Sequence, residues 1–248
     1  MLESAVAMNL KGGPLIIGHR GSPRHSPENT MASFRQAVAV GCDMIEGDIR
    51  RTRDQVLVVI HDERVERRRI ADLTLAELRT RAGTPGQVIP TLAELLDELA
   101  GRVRFDLEIK EAGYEKQVLR TVLQRLDERQ FWLTSFMAGS LALLKRVHPP
   151  LTTGLLLGGG VKEAVWPVTP VRFRRLLEES GVDLVLPHHS LLKWKVVEWA
   201  RQAGRGVAVW TVNRPARLAR LLRQPDIAAV ITDVPDVGVR LRAAAGRR

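Results

Sequence analysis

The feature of this sequence that most constrains its fold is a regular alternation of two kinds of segment. Short apolar runs of strand length are followed by longer segments with the apolar period of a helix, almost from end to end. The predicted strands are 15–18, 42–48, 103–109, 131–135, 151–157, 183–186, 207–211 and 228–231. The predicted helices are roughly 30–40, 91–100, 115–128, 138–147, 171–180, 190–203, 215–222 and 236–245. Eight such units predict an α/β fold of the (β/α)8 TIM barrel type.

An open, doubly wound sheet is the alternative arrangement for this pattern, and the sequence does not favour it. Such sheets usually carry a glycine-rich phosphate loop after the first strand. No GxGxxG motif follows 15–18, and the glycines at 158–160 lack the lysine of a P-loop. A closed barrel therefore remains the predicted architecture.

The alternation is interrupted once, after the second barrel strand. Residues 56–63 have the pattern of an additional strand, and the segment 64–90 is charged, with one short predicted helix near 74–81. This segment is too small for a separate domain. We therefore predict a single domain over 1–248, with a barrel core at about 15–240 and a small insertion at about 62–90 above the barrel mouth.

The charge of the chain, +10 at pH 7, raises the question of nucleic-acid binding. Its arginines are scattered, however, and the sequence has no basic helix with interleaved aromatic residues, no zinc-finger spacing and no RNA-binding signature. The charge therefore favours a small, anionic, phosphate-bearing partner and not a nucleic acid.

The cellular location of the protein is indicated by the absence of disulfides, membrane spans and a signal peptide from the sequence. Its single cysteine, Cys42, excludes an internal disulfide, and it contains no apolar run of about 18 residues that could form a transmembrane span. The first residues also lack the basic and apolar regions of a signal peptide. We therefore expect a cytoplasmic protein, either a monomer or a homodimer.

Carboxylates stand at the ends of the second and third predicted barrel strands. Glu46 and Asp48 are two residues apart, so both side chains point to the same face of an otherwise apolar segment. Glu108 ends the next barrel strand, and the carboxyl ends of barrel strands meet at one mouth. Surface ion pairs with nearby arginines are the alternative for each acid alone. Three converging carboxylates require a cation, and all-oxygen donors suit one divalent metal ion, Mg²⁺ or Ca²⁺.

Histidines and cations follow other strands at the same predicted mouth. His19 and His61 are candidates for acid–base catalysis because imidazole exchanges protons near neutral pH, although a lone histidine is more often structural or exposed. Arg20 and Lys110 offer positive charge for a phosphate group. Trp210 ends the seventh strand, where its ring serves either as a substrate-pocket wall or as core packing. Together these side chains suit phosphoryl transfer.

The order of the short motifs points to a known family. They are HRG and PENT (19–21, 27–30), EGD (46–48), HDE (61–63), IPTLAELL (89–96), LEIK (107–110), TSF (134–136), WTVN (210–213) and ITDVP (231–235). This ordered set resembles the glycerophosphodiester phosphodiesterases over nearly the whole chain. The resemblance implies a TIM barrel with a small insertion. It also implies metal-dependent hydrolysis of a glycerophosphodiester to glycerol 3-phosphate and an alcohol.

The resemblance also implies a role for each candidate residue. The acid–base histidines are His19 and His61, the metal ligands are Glu46, Asp48 and Glu108, the phosphate-contacting cations are Arg20 and Lys110, and the pocket wall is Trp210. The chain departs from the family after the HD motif. It continues ERVERRRIADLTLAEL, where relatives commonly have an arginine, paired threonines and a glycine-rich turn. The insertion forms part of the mouth, so the alcohol group of the substrate stays open.

Other activities remain open at this point. Phospholipases of the phosphatidylinositol or sphingomyelinase D type share the barrel and two histidines, but the charged segment 64–81 favours a soluble head group over an apolar lid. A lysophospholipase D activity within the family is not separated by the sequence. A non-catalytic binder of anionic ligands has no need for paired proton-transfer groups, so both histidines count against it.

Overall fold

Parallel strands form a closed barrel in the computed structural model, which describes residues 13–82, 88–158 and 169–245. Its strands are β1 (Leu15–Gly18), β2 (Met44–Arg51), β3 (Leu57–Val59), β4 (Arg64–Val65), β5 (Arg68–Arg69), β6 (Arg104–Ile109), β7 (Phe131–Ser135), β8 (Thr153–Leu157), β9 (Leu184–Pro187), β10 (Gly206–Val209) and β11 (Ala229–Thr232). In the described part of the chain, eight of these pair in parallel in the order β1-β2-β6-β7-β8-β9-β10-β11, and β11 pairs with β1. The predicted TIM barrel is therefore confirmed.

Helices connect the strands and surround the barrel. They are α1 (Met31–Ala39), α2 (Leu75–Ala82), α3 (Leu92–Leu99), α4 (Glu115–Leu123), α5 (Ala138–Val147), α6 (Pro170–Ser180), α7 (Val196–Gln202), α8 (Pro215–Leu221) and α9 (Pro235–Ala245). Local signals fix several ends. Thr91 and Glu94 form a capping box at the start of α3, and Gly181 ends α6 in the left-handed conformation.

Two apolar layers hold the barrel together, because side chains alternate along each strand. The larger layer fills the space between strands and helices, and includes Phe34, Phe105 and Leu107. The smaller layer fills the barrel interior, and includes Ile17 and Leu186. Along β2 the interior positions change from the apolar Met44 to the acidic Glu46 and Asp48, and the interior positions of β6 include Asp106 and Glu108. This change places the polar site above a packed apolar floor.

The described part of the insertion after β2 contains strands, a 3-10 turn and a helix. Strand β3 pairs antiparallel with the end of β2, which confirms the additional strand, although it is shorter than the predicted 56–63. The segment then forms a β4–β5 hairpin, which the sequence did not predict, a 3-10 turn at Ile70–Asp72, and α2. Val58, Ile70, Leu73 and Leu78 form its own buried cluster. The described residues of the insertion therefore have a small apolar core of their own.

Element boundaries differ from the predicted ones where local backbone geometry intervenes. The predicted helix 190–203 is divided into a 3-10 turn at His189–Trp194 and α7, because Lys195 adopts a left-handed φ of 59°. The predicted helix 115–128 ends at Leu123, and Asp127 caps a separate 3-10 turn. Among the helices in the described ranges, none is long and apolar enough to cross a membrane.

Candidate active site

A tight turn after β1 presents His19 and Arg20 side by side. The turn closes through a hydrogen bond from the Gly21 amide to the Gly18 carbonyl, at 3.2 Å. A Cβ on Gly21, where φ is +91°, would lie 2.5 Å from the hydroxyl of Ser33. That hydroxyl donates to the Arg20 carbonyl at 2.9 Å and accepts from the Ser22 amide at 2.7 Å. The two glycines are therefore required for the first turn of α1 to approach this loop closely.

Three carboxylates converge beside this turn. The pairing of β2 with β6 sets Asp48 next to Glu108. One oxygen from each of Glu46, Asp48 and Glu108 lies within 4.8 Å of the others, and all three side chains are buried. The structure thus brings the three predicted metal ligands together in an acidic cluster that could bind a metal ion.

The two predicted phosphate-contacting cations lie against these acids. Arg20 Nε is 3.2 Å from Asp48 Oδ2, and its amide donates to Glu46 Oε2 at 2.8 Å. Lys110 Nζ is 3.1 Å from Asp48 Oδ1 and 2.8 Å from Glu108 Oε1. Asn29 also donates to Asp48 Oδ2 at 2.7 Å. Asp48 is therefore surrounded by positive charge and hydrogen-bond donors.

Burial and charge separate the ionisation of the acids. Burial, and then the neighbouring carboxylates, raise the pKa of Glu46 well above its usual value. Burial also raises the pKa of Glu108 to about 7, despite the nearby Lys110. Burial opposes ionisation of Asp48 too, but Lys110 and Arg20 outweigh it and hold its pKa below the usual value. The two cations therefore do not fully offset the cost of burying all three carboxylates in their charged form.

The acidic cluster contains buried carboxylate oxygens that are open to a divalent cation. Asp48 Oδ1 and Glu108 Oε1 are buried, and neither accepts a hydrogen bond of proper geometry from the described residues, although Lys110 lies within ion-pair distance of both. Buried carboxylate oxygens of this kind are the ligands that Mg²⁺ and Ca²⁺ prefer. The residues present therefore fit a hard divalent cation.

Each predicted histidine is oriented by a carboxylate. His19 Nδ1 donates to Asp233 Oδ1 at 2.6 Å, and Asn213 donates to the other oxygen of Asp233 at 2.5 Å. His61 Nδ1 is paired in the same way with Asp62 Oδ1, at 2.9 Å. Among the described residues, the second nitrogen of each ring has no hydrogen-bond partner, which leaves it available to a ligand.

The environment of His61 differs from that of His19. The ring of His61 is more exposed, with 38% of its side chain accessible against 17% for His19. Burial lowers the pKa of His61, partly offset by Asp48. Its backbone carbonyl accepts from Arg50 Nε at 2.8 Å, and Arg50 is itself paired with Glu111. Arg50 therefore connects the second histidine to the end of β2.

A cavity of about 280 Å³ lies above the acidic cluster. It is lined by His19, Arg20, Glu46, His61, Asp106, Glu108, Lys110, Thr134, Phe136, Leu156, Trp210 and Ile231. Trp210 forms an apolar wall with Phe136, whose ring meets it edge-on at 5.6 Å, and its indole donates to the Leu186 carbonyl at 2.7 Å. Of the eight predicted site residues, seven line this cavity. The eighth, Asp48, lies behind it, in contact with Arg20 and Lys110.

Several side chains of the site were not singled out from the sequence. Asp106 is fully buried below Glu108, accepts from the Thr134 hydroxyl at 2.7 Å, and has a second oxygen without a partner among the described residues. The same two-residue spacing that linked Glu46 to Asp48 could have revealed it. Asp233 and Asn213 lie at strand ends, within the ITDVP and WTVN motifs. Spacing along the chain does not indicate that Asp233 contacts His19 or that Asn213 donates to Asp233, because both contacts depend on how the strands pair in the barrel.

A closed parallel barrel with acids, histidines and cations gathered at the carboxyl ends of its strands defines a TIM-barrel enzyme. Comparison with known proteins gives its family. The family model described as "Glycerophosphoryl diester phosphodiesterase family" matches residues 19–237. The chain belongs to this family and is a phosphodiesterase of that class.

Individual relatives match along almost their whole length. A glycerophosphodiester phosphodiesterase of Caldanaerobacter subterraneus subsp. tengcongensis is 32% identical over 92% of this chain and 97% of its own. One from Bacillus altitudinis is 27% identical over the same shares. The crystal structure of a glycerophosphodiester phosphodiesterase from Thermotoga maritima superposes with a TM-score of 0.76 at 26% identity, covering 92% of this chain and 98% of that one.

Proposed function

We propose that the chain, acting as a single catalytic domain, hydrolyses a glycerophosphodiester to sn-glycerol 3-phosphate and an alcohol in a metal-dependent reaction with two catalytic histidines. The observation that carries the proposal is the placement of His19 and His61 on one cavity with the acidic cluster, each ring held by its own carboxylate. The family match and the relatives' activity support the same reaction.

Glu46, Asp48 and Glu108 would hold one divalent ion, Mg²⁺ or Ca²⁺. A bound ion would neutralise the carboxylates and polarise a phosphate oxygen. Arg20 and Lys110 line the same cavity, and they bind the remaining phosphate charge through a guanidinium fork and an ammonium group. Trp210 and Phe136 pack against the carbon backbone of the glycerol.

The proton transfers are carried by the two histidines. An oxygen from water or from the glycerol 2-hydroxyl attacks phosphorus, and one imidazole takes its proton. The bond from phosphorus to the alcohol oxygen breaks, and the other imidazole protonates the departing oxygen. Asp233 and Asp62 fix the ring orientation, so that the free nitrogen of each imidazole points toward the reacting atoms. With the glycerol hydroxyl as nucleophile, water opens the cyclic phosphate in a second step.

The proposal is tested by coupling release of glycerol 3-phosphate to NADH formation through glycerol-3-phosphate dehydrogenase. The enzyme is stripped with EDTA and assayed with glycerophosphocholine, glycerophosphoethanolamine and glycerophosphoglycerol, with Mg²⁺, Ca²⁺ or neither. We expect turnover only after a divalent ion is restored. Turnover that is unaffected by EDTA would refute metal dependence, and no turnover with any substrate would refute the reaction.

Histidine variants test the residue roles. We expect His19→Ala and His61→Ala each to lower kcat at least about 100-fold, because each removes one proton transfer. The matched control is His148→Ala, because His148 pairs with Glu128 away from the cavity. Near-normal turnover in either cavity variant, with the control behaving as wild type, would refute the assignment.

A further inference from the structure

A second cleft opens from the side of the catalytic cavity. It has a volume of about 460 Å³, which suits a small-molecule group. It shares four lining residues with the central cavity, namely His61, Glu108, Lys110 and Phe136. The two spaces are therefore continuous beside His61. A phosphodiester held at the acidic cluster with its glycerol in the central cavity would extend its alcohol group into this side cleft.

Two ion pairs form the outer walls of the side cleft. Arg50, which is buried, pairs with Glu111, and Arg69 Nε lies 3.0 Å from Glu63 Oε1. The second pair is about half exposed on both partners, so its polar atoms are open to a ligand. The side cleft thus offers guanidinium donors next to carboxylate acceptors.

The second pair is held in place by the insertion. Glu63 precedes β4 and Arg69 ends β5, and the Ile70 amide donates to the Glu63 carbonyl at 2.9 Å. Ile70 belongs to the buried cluster of the insertion. Glu63 ends the HDE motif, and Arg69 falls in the segment where the sequence departs from the family's usual pattern. Their position is therefore a built feature of this chain's mouth.

The chemistry of these walls distinguishes between head groups. Glu111 and Glu63 are each paired with an arginine, and Glu108 is paired with Lys110, so the cleft wall offers a quaternary ammonium group no carboxylate without a cationic partner. Phe136 is the one phenyl or indole ring among the described lining residues, too few for an aromatic cage. Neighbouring hydroxyls, by contrast, can donate to a carboxylate and accept from a guanidinium at the same time.

We propose that the side cleft binds the departing alcohol, and that Glu63 and Arg69 select a neutral alcohol with adjacent hydroxyls, such as glycerol, over choline or a simple alkanol. This inference rests on the proposed hydrolysis of glycerophosphodiesters. It adds the class of alcohol and the residues that recognise it. Hydrogen bonds to charged groups at a half-exposed site correspond to about tenfold discrimination in kcat/KM.

The test compares three substrates: glycerophosphoglycerol, the propan-1-ol ester of glycerol 3-phosphate, and glycerophosphocholine. For the wild-type enzyme we expect kcat/KM to be about tenfold higher for the glycerol ester than for the other two, mainly through a lower KM. In Glu63→Gln and in Arg69→Ala, the ratio between the glycerol and propanol esters should fall toward one. The matched control is Arg53→Ala, which removes an ion pair with Glu77 of similar exposure outside the side cleft and should keep the wild-type ratio.

The outcomes separate this inference from the reaction on which it rests. Equal turnover of the three esters by the wild type, or fastest turnover of the choline ester, would overturn the inference and leave the hydrolysis standing. An unchanged ratio in both side-cleft variants would overturn the assignment of Glu63 and Arg69. No release of glycerol 3-phosphate from any ester, with metal present, would refute the proposed function and this inference with it.

Discussion

Asp106 allows a quantitative test of how burial in the barrel interior changes the pKa of a carboxyl group and, through it, the stability of the fold. Burial raises the pKa of this carboxyl from its usual 3.8 to about 7, and the Thr134 hydroxyl lowers it only in part. Between these two pH values the unfolded chain has lost the proton that the folded chain keeps. The free energy of unfolding therefore falls as the pH rises through this range. At about 1.36 kcal/mol per pH unit, a shift of this size corresponds to about 4 kcal/mol.

The perturbation is Asp106→Asn, which removes the titration and preserves an oxygen for the Thr134 hydroxyl. Unfolding by denaturant is followed in EDTA at several pH values from 4 to 8. Glu108 titrates in both proteins, so we expect stability to decline with pH in each, but less steeply in the variant, by one bound proton. Asp97→Asn at an exposed site controls for the substitution itself. Identical pH dependence in Asp106→Asn and wild type would show that Asp106 is already ionised in the folded chain, and would refute the reasoning.

Three further predictions concern the turn, the histidine partner and the acidic cluster. Gly21→Ala should destabilise the fold by more than about 3 kcal/mol in denaturant unfolding, because its Cβ would lie 2.6 Å from the Ser33 backbone carbon; a loss below about 1 kcal/mol would contradict the close approach. Asp233→Asn should lower kcat at least about tenfold with little change in KM, because it loosens the His19 ring, and an unchanged kcat would argue against this positioning. Adding Mg²⁺ or Ca²⁺ at about 100 times its Kd should stabilise the EDTA-stripped wild type by about 2.7 kcal/mol, and should stabilise Glu108→Gln by much less. Equal shifts in Tm for the wild type and the variant would show that the ion binds elsewhere.

The barrel was predictable because its signal is local and repeated. Each strand is a short apolar run, and each helix carries its own period and caps, such as Thr91 with Glu94. The break at Lys195 was not predictable, because a lysine in the left-handed conformation leaves neither a glycine nor a proline in the sequence. The β4–β5 hairpin was missed for a similar reason, since its turn residues, Glu66 and Arg67, are not typical of a tight turn.

The candidate site was predictable where its geometry follows from spacing along one strand. Glu46 and Asp48 point the same way because they are two residues apart, and barrel topology brings Glu108 beside them. Other contacts come from chain closure. Asp233 reaches His19 only because β11 pairs with β1, and Asn213 reaches Asp233 because β10 pairs with β11. No pattern within either segment indicates these contacts. The resemblance to a family indicated which residues are expected to bind metal and phosphate, but the residues that line the side cleft were identified only from the structure.

The contact between His19 and Asp233 joins the two ends of the folded barrel, across 214 residues of sequence. The imidazole becomes oriented only when the last strand has docked against the first. During synthesis, a chain that has already made both histidines and all three cluster acids still lacks the partner that aligns the first ring. Under the proposed role of His19, catalytic competence is therefore acquired only when the last strand closes the barrel.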